Sequence, residues 1–161
     1  MSYNLNVKSS PAMDAALRII SYEPQFSGVL KNKLLKKGFN SEQITQALRQ
    51  LEELEMLDDE RLAKIYAGDL MRVKYYGPAI VRGKLYEKGV ERNIAENAIK
   101  LALEDNGGEV EVCRKCLNKK VDTKLDENKK AQRLAAKGFS ANAIRQVLKG
   151  TSDFFFMINF Y

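Results

Sequence analysis

Two cysteines are the residues of this sequence whose type and spacing come nearest to a chemical motif. Cys113 and Cys116 have the CxxC spacing found in zinc sites and in redox-active dithiols. The sequence has no histidine and no second CxxC, so one chain cannot complete a four-ligand zinc site. A redox CxxC usually opens a helix that follows a strand, and no strand pattern precedes Cys113. We therefore expect a reduced pair that packs as small hydrophobic side chains.

The second candidate for chemistry is the carboxylate cluster Asp58-Asp59-Glu60. It stands directly before an apolar stripe of helical spacing, where acidic side chains favour the start of a helix, so we interpret it as helix capping rather than as a metal site. The absence of histidine excludes the usual nucleophile and base pairs, and P-loop and GxGxxG spacings are absent. The sequence predicts a binding protein without cofactor or metal, and not an enzyme. Were it an enzyme, Cys113 and Cys116 would be the first residues to mutate.

Charge is the strongest indication of a partner. The 161 residues include 27 Lys and Arg against 21 Asp and Glu, for a net charge of +6. Residues 1–60 hold seven basic and nine acidic residues, residues 61–103 hold nine and four, and residues 104–161 hold eleven and eight. The positive field therefore belongs mainly to the middle and the end of the chain, and it favours a polyanion or an acidic protein surface as the partner.

Basic residues interleave with tyrosines around the dipeptide Gly77-Pro78, a pattern that could follow a phosphate backbone and stack on bases. The competing interpretation is a solvated helix face with tyrosines at the edge of the core. We predict a partner-facing strip formed by Arg72, Lys74, Tyr75, Arg82, Lys84 and Lys88. A second set of candidate contacts comprises Lys33, Lys37, Arg133, Lys137 and Arg145.

The elements that must position these residues are helices. Apolar residues recur at helical spacing along almost the whole chain and strict alternation is missing, so the sequence predicts an all-α protein. We expect about nine helices, at residues 12–22, 27–37, 41–56, 59–76, 78–88, 91–103, 109–121, 125–137 and 141–149. No apolar run is long enough to cross a bilayer and no secretory signal pattern opens the chain, which predicts a cytoplasmic protein.

Three stretches repeat one pattern, a Lys-Gly-apolar triplet at residues 37–39, 88–90 and 137–139. Apolar residues follow each glycine at offsets of six, nine and ten, and the glycines are separated by 51 and 49 residues. Each triplet predicts a sharp turn in which glycine takes the left-handed conformation and lysine faces the negative end of a helix dipole. A period near 50 residues with three helices predicts tandem three-helix repeats in an elongated, curved molecule.

These patterns divide the chain into five segments. We expect an N-terminal tail at 1–11, three-helix repeats at 12–57, 58–103 and 109–150, and an apolar C-terminal tail at 151–161. The break before the third repeat is Glu104-Asp-Asn-Gly-Gly108. The aromatic residues that close the chain are expected to form a strand or short segment docked on the last repeat, and an exposed aromatic hook for a partner is the alternative.

The order and spacing of these elements resemble the RecX family of bacterial regulatory proteins over about residues 12–150. The resemblance rests on the Leu-x-x-Lys-Gly-Phe turns and on three segments, Leu57-Asp-Asp-Glu-Arg-Leu-Ala63, Tyr76-Gly77-Pro78 and Leu134-Ala-Ala-Lys-Gly-Phe-Ser140. Two positions depart from the family pattern. Residues 25–30 lack the usual basic residue and Ser ahead of Glu-Leu, and Leu62 replaces the usual aromatic.

The resemblance implies a small cytoplasmic monomer that binds the RecA–DNA filament, lies in its groove and inhibits recombinase activity in DNA repair, recombination and the SOS response. It implies no cofactor and no membrane, with weaker electrostatic contacts to single- and double-stranded DNA. The residues leave a second hypothesis open, a direct nucleic-acid-binding module built of helix-turn-helix-like three-helix units. Such a module would bind naked DNA with a steep dependence on salt.

Overall fold

The computed structural model of the chain describes residues 10–118 and 125–158, with side chains up to Lys149. Within these ranges it contains nine helices and no strand, which confirms the all-α prediction. The helices are α1 (Pro11–Ile20), α2 (Ser27–Lys36), α3 (Ser41–Glu53), α4 (Asp59–Arg72), α5 (Pro78–Glu87), α6 (Arg92–Asp105), α7 (Glu109–Leu117), α8 (Glu127–Ala136) and α9 (Ala141–Ile158).

Polar side chains at the predicted positions begin several helices. Asn40 accepts a hydrogen bond from the Gln43 amide while the Gln43 side chain accepts one from the Asn40 amide, which forms a capping box at the start of α3. Asp58 caps α4 by accepting from the Arg61 amide at 2.9 Å, as the capping interpretation requires. These bonds satisfy backbone donors that have no partner within the first turn of a helix.

The Lys-Gly-apolar triplets form the turns that the sequence predicts. Gly38, Gly89 and Gly138 all have positive φ, between 77° and 89°, a region that residues with a Cβ rarely enter. The amide of the apolar residue that follows each glycine donates back to the last turn of the preceding helix, at 3.1–3.3 Å. Local sequence therefore determines the direction in which α3, α6 and α9 leave the helix before them.

Two predicted helices end earlier than expected, because a residue enters the left-handed region. Helix α3 ends at Glu53 and Glu55 has φ 55°; α4 ends at Arg72 and Tyr75 has φ 53°. The Tyr76 amide then donates to the Leu70 carbonyl and closes α4. Lys74 and Tyr75, which the sequence places on the helix, lie in the turn after it.

The end of the chain also differs from the prediction. Instead of forming a strand, the backbone of residues 151–158 continues α9 to Ile158. Residues 1–9, most of the predicted N-terminal tail, and residues 119–124, where the predicted seventh helix ends, lie outside the described residues. Among the described helices, none is long and apolar enough to span a membrane.

Helix packing follows three consecutive sets, α1–α3, α4–α6 and α7–α9, within which the main contacts occur. Two hydrophobic cores result. One joins α1, α2 and α3, and the other is continuous through α4–α9.

The closest helix pair is α4 with α6. These two helices carry buried alanines, whose small side chains let helices approach closely: Ala63, Ala67, Ala95, Ala98 and Ala102. Ile65 and Val73, although apolar, are about half exposed. The exact segment limits remain a prediction.

Glycine contacts join successive sets of helices. Gly28, near the start of α2, lies so close to the Gly89 turn that an added Cβ would be 2.7 Å from the Gly89 Cα. At the next joint, the Gly77 amide donates to the Lys137 carbonyl at 2.8 Å and the Ala79 amide to the Gly138 carbonyl at 3.1 Å. In both cases the start of the middle helix of one set docks on the Lys-Gly turn of the following set.

Side chains reinforce the first of these joints. Asp59 at the start of α4 accepts hydrogen bonds from the Ser27 amide at 2.8 Å and the Ser27 hydroxyl at 2.5 Å. Phe26, just before α2, is buried in the core of the following helices and meets Tyr66 edge to face, with 5.9 Å between ring centroids. One carboxylate of the cluster thus caps α2 across the joint, a role that the sequence pattern did not reveal.

Candidate partner-binding surface

The two cysteines are structural. Both are buried on α7, and burial, the largest cause, raises the pKa of the Cys113 thiol to about 12. Because the thiolate is the reactive form, such a thiol is a poor nucleophile near neutral pH. Across the described ranges, no group of three or more Cys, Asp or Glu side chains is arranged to hold a metal ion. The positive side chains are therefore the candidates for function.

Three of those positive side chains surround tyrosine rings. The ammonium of Lys84, on α5, lies 5.7 Å from the centroid of the Tyr76 ring. The ammonium of Lys88, the residue that follows α5, lies 6.0 Å from the centroid of the Tyr66 ring. Lys137, from the turn after α8, lies over the Tyr76 ring at 4.6 Å. All three lysines are partly buried, and cation–π contacts of this kind restrict their motion while leaving the charge in place.

Tyr76, Lys84 and Lys137 form what we call the lysine–tyrosine cluster. It lies at the second joint, because Tyr76 precedes Gly77 and the Lys137 carbonyl accepts the Gly77 amide. The fold thus brings together two lysines that the sequence separates, one from the predicted strip and one from the second candidate set. Two ammoniums beside one aromatic ring create a local positive site for a phosphate or a carboxylate.

Arg82, in contrast, is already paired. Its guanidinium donates to both carboxylate oxygens of Glu96 on α6, at 2.5 and 2.9 Å. These hydrogen bonds are the largest cause that lowers the pKa of Glu96 below its ordinary value and raises the pKa of Arg82. The Tyr86 hydroxyl adds a long hydrogen bond to Glu96. The pair joins α5 to α6, so Arg82 stabilises the position of α5, the helix on which Lys84 lies.

The Arg82–Glu96 pair predicts a pH effect on stability. The pKa of Glu96 is lower in the folded state than in the unfolded state. The pair should therefore contribute fully to the free energy of unfolding above the ordinary carboxyl pKa of about 4.3. This contribution should be lost as the pH falls through the lowered pKa. Both side chains are more than a third exposed, so we expect only about 0.5–1 kcal/mol. Urea unfolding of wild type and Glu96→Gln should give free energies that differ by that amount at pH 7, and the difference should shrink as the pH falls below about 4.3. A difference that stays constant while Glu96 is protonated would contradict the pairing.

The remaining predicted residues lie elsewhere. Arg72 at the end of α4 pairs with Asp69 at 2.6 Å, and Lys74 is exposed in the turn that follows. Lys33 and Lys37 line a groove in the first set of helices. Arg133 and Arg145 are exposed on α8 and α9. The structure therefore does not gather all the predicted contacts into one strip. It places three of them beside tyrosine rings: Lys84, Lys88 and Lys137.

Two residues of the surface were absent from the predicted set. Tyr75 is the predicted contact, but the ring that lies beside Lys84 and Lys137 belongs to its neighbour Tyr76. The charge pattern does not indicate Glu96, because Glu96 approaches Arg82 from another helix. Its place one turn into α6 after a predicted turn is the signal that could have suggested a cross-helix partner.

Comparison with known proteins identifies what the chain resembles. Residues 58–99 match the family model of the RecX second three-helix domain. The Regulatory protein RecX of Chlorobaculum tepidum is 35% identical over 148 residues, covering 88% of this chain and 89% of that protein. The Regulatory protein RecX of Thermotoga maritima is 33% identical over 100 residues, 62% of each chain.

Solved structures show the same likeness. The crystal structure of RecX from Lactobacillus salivarius has a TM-score of 0.70 and 26% identity, and the match covers 86% of this chain and 93% of that one. A second crystal structure, of a regulatory protein RecX, has a TM-score of 0.73 at 22% identity over 86% of this chain and 70% of its own, and shows the likeness of fold alone.

Proposed function

Because the chain belongs to the RecX family of regulatory proteins, we propose that it binds the RecA–DNA filament and inhibits recombinase activity in DNA repair and recombination. The observation that carries the proposal is similarity to a regulatory protein RecX over almost the full length of both chains. We also propose that the protein acts in the cytoplasm as a monomer, without a cofactor and by binding rather than by catalysis. DNA would be a weaker, electrostatic partner.

The geometry supports a binding role for the second joint. A filament of DNA and protein presents phosphates and carboxylates, and the lysine–tyrosine cluster presents two ammoniums held over a ring. The cluster lies between two sets of helices that share one core, so its charges keep a fixed spacing. Contacts from several linked sets of helices can then add through effective concentration, even if each is weak.

RecA-catalysed ATP hydrolysis tests this proposal. RecA filaments are formed on single-stranded DNA, substoichiometric protein is added, and the rate of hydrolysis is followed together with binding to preformed filaments. We expect hydrolysis to fall progressively, because blocked extension or disassembly removes active filament. Unchanged hydrolysis together with no binding to preformed filaments would refute the proposal.

A salt titration distinguishes the alternative, a direct nucleic-acid-binding module. The positive cluster and the three-helix sets are the observations that favour it. Phosphate contacts make affinity fall steeply as salt rises, so tight, salt-sensitive binding to naked DNA with no effect on RecA would support the alternative. The filament proposal instead expects weaker binding to naked DNA than to the filament at the same salt concentration.

A further inference from the structure

A groove lies away from the lysine–tyrosine cluster, in the first set of helices. It runs between α1 and α2 and has a volume of about 810 Å³, a size at which a groove can hold a short peptide segment. Its floor includes Ala15 and Ile19, which are only partly buried although they belong to the apolar side of α1. The groove therefore offers apolar surface to a partner.

The rim of this groove is mainly basic. Arg18 comes from α1, and Lys33, Lys36 and Lys37 come from α2 and its end, against the carboxylates of Asp14 and Glu23. The Gln25 side-chain amide donates a hydrogen bond to the Glu23 carboxylate at 2.8 Å. The Lys33 ammonium donates to the Gln25 carbonyl oxygen at 2.9 Å, which fixes Lys33 at the wall. Four basic side chains against two carboxylates give the lining of the groove a net positive charge.

Among the described residues, this end of α2 is uncovered. At the two later turns of the same type, the start of another helix docks on the glycine, Gly28 on Gly89 and Gly77 on Gly138. At Gly38 an added Cβ would meet no heavy atom within 4 Å. Lys36 and Lys37 are exposed beside Gly38. On the opposite wall of the groove, Tyr22 has 89% of its surface exposed. The rim charges are thus accessible to a partner.

We propose that the groove between α1 and α2 binds an acidic amphipathic peptide segment of a partner protein. Apolar side chains of the segment would cover Ala15 and Ile19, and its carboxylates would pair with Arg18, Lys36 and Lys37. A nucleic acid fits less well, because a phosphate backbone has no apolar side chains for the floor and would meet the carboxylates of the rim. The site is separate from the lysine–tyrosine cluster, so the proposal does not depend on the filament proposal.

A tryptophan-containing peptide tests it directly, since the protein has no tryptophan. The probe is the acetylated peptide Asp-Glu-Trp-Leu-Glu-Glu-Ile-Leu-Asp-Glu, whose fluorescence and anisotropy report binding to the full chain. We expect saturable binding that weakens with salt. The variant Lys36→Glu/Lys37→Glu should weaken the affinity for the peptide about tenfold, because two exposed ammoniums that attract the peptide carboxylates become carboxylates that repel them. Lys31→Glu, on α2 but outside the groove, should change it by less than twofold, and circular dichroism checks that all variants fold.

Two further variants test the apolar floor and the accessibility of the groove. Ile19→Asn should weaken peptide binding even at high salt, because it removes apolar contact without adding a charge. Removal of residues 1–8 should leave the affinity unchanged; a large gain would mean that the chain itself covers the groove and would overturn the proposal. Equal loss with Lys31→Glu and Lys36→Glu/Lys37→Glu, or displacement of the peptide by a single-stranded oligonucleotide at equal charge concentration, would also overturn it.

Discussion

Gly77→Ala should destabilise the protein by about 1–3 kcal/mol, the usual cost of overpacking a well-packed site. The added Cβ would fall on the carbonyl group of Gly138 and 2.6 Å from the Phe139 nitrogen, which are backbone atoms that cannot rotate away. Backbone conformation is not the cause, because Gly77 has φ −79°, which alanine adopts freely. The docked amides of Gly77 and Ala79 would be pushed from the carbonyls that they contact.

Gly83→Ala is the matched control on the same helix. Gly83 is exposed within α5 and nothing lies within 4 Å of its added Cβ, so this substitution should stabilise by about 0.5–1 kcal/mol through helix propensity. Urea unfolding followed by circular dichroism should therefore give midpoints on opposite sides of the wild type. Equal midpoints for the two variants would show that the second joint does not pack as described.

The sequence predicts the turns at these joints but not the joints themselves. A Lys-Gly-apolar triplet determines its own geometry through glycine φ and hydrogen bonds to the preceding helix, so local pattern is sufficient for Gly38, Gly89 and Gly138. What docks on a turn depends on residues far away in the chain. The sequence predicts a helix from residue 78, but it does not indicate that the close approach of Gly138 requires the lack of a side chain at Gly77.

The candidate surface shows the same division. The excess of charge around α5 is visible in the sequence, and Lys84 and Lys137 were both among the predicted contacts. Which charges remain available could not be predicted, because Glu96 reaches Arg82 from a different helix. The boundary of α4 also depends on a single residue with positive φ, Tyr75, whose neighbours follow no periodic pattern. Helix type follows from periodicity, whereas pairing across helices follows from packing.

Charge reversal of the lysine–tyrosine cluster is expected to have the largest effect on the proposed activity. Lys84→Glu/Lys137→Glu should weaken binding to preformed RecA filaments by at least about tenfold, equivalent to about 1.4 kcal/mol, because two attractions to the acidic partner become repulsions. The variant also loses two cation–π contacts to Tyr76, each worth about 0.5–1 kcal/mol at an exposed site, so a modest loss of stability should accompany it. Fluorescence anisotropy of labelled filaments measures the binding, and unfolding measures the stability.

Lys100→Glu/Lys149→Glu is the control that separates a local contact from a general field. Both lysines are exposed, on α6 and α9, and the double substitution changes the net charge by the same amount as the cluster variant. If the whole positive field attracts the filament, the two variants should weaken binding equally. If the cluster makes the contact, the control should retain most of the affinity at physiological salt, where charges beyond roughly 8 Å are largely screened. The filament affinity of Lys84→Gln/Lys137→Gln should lie between the affinities of the charge-reversal variant and the control, since the neutral substitutions remove the attraction without adding repulsion.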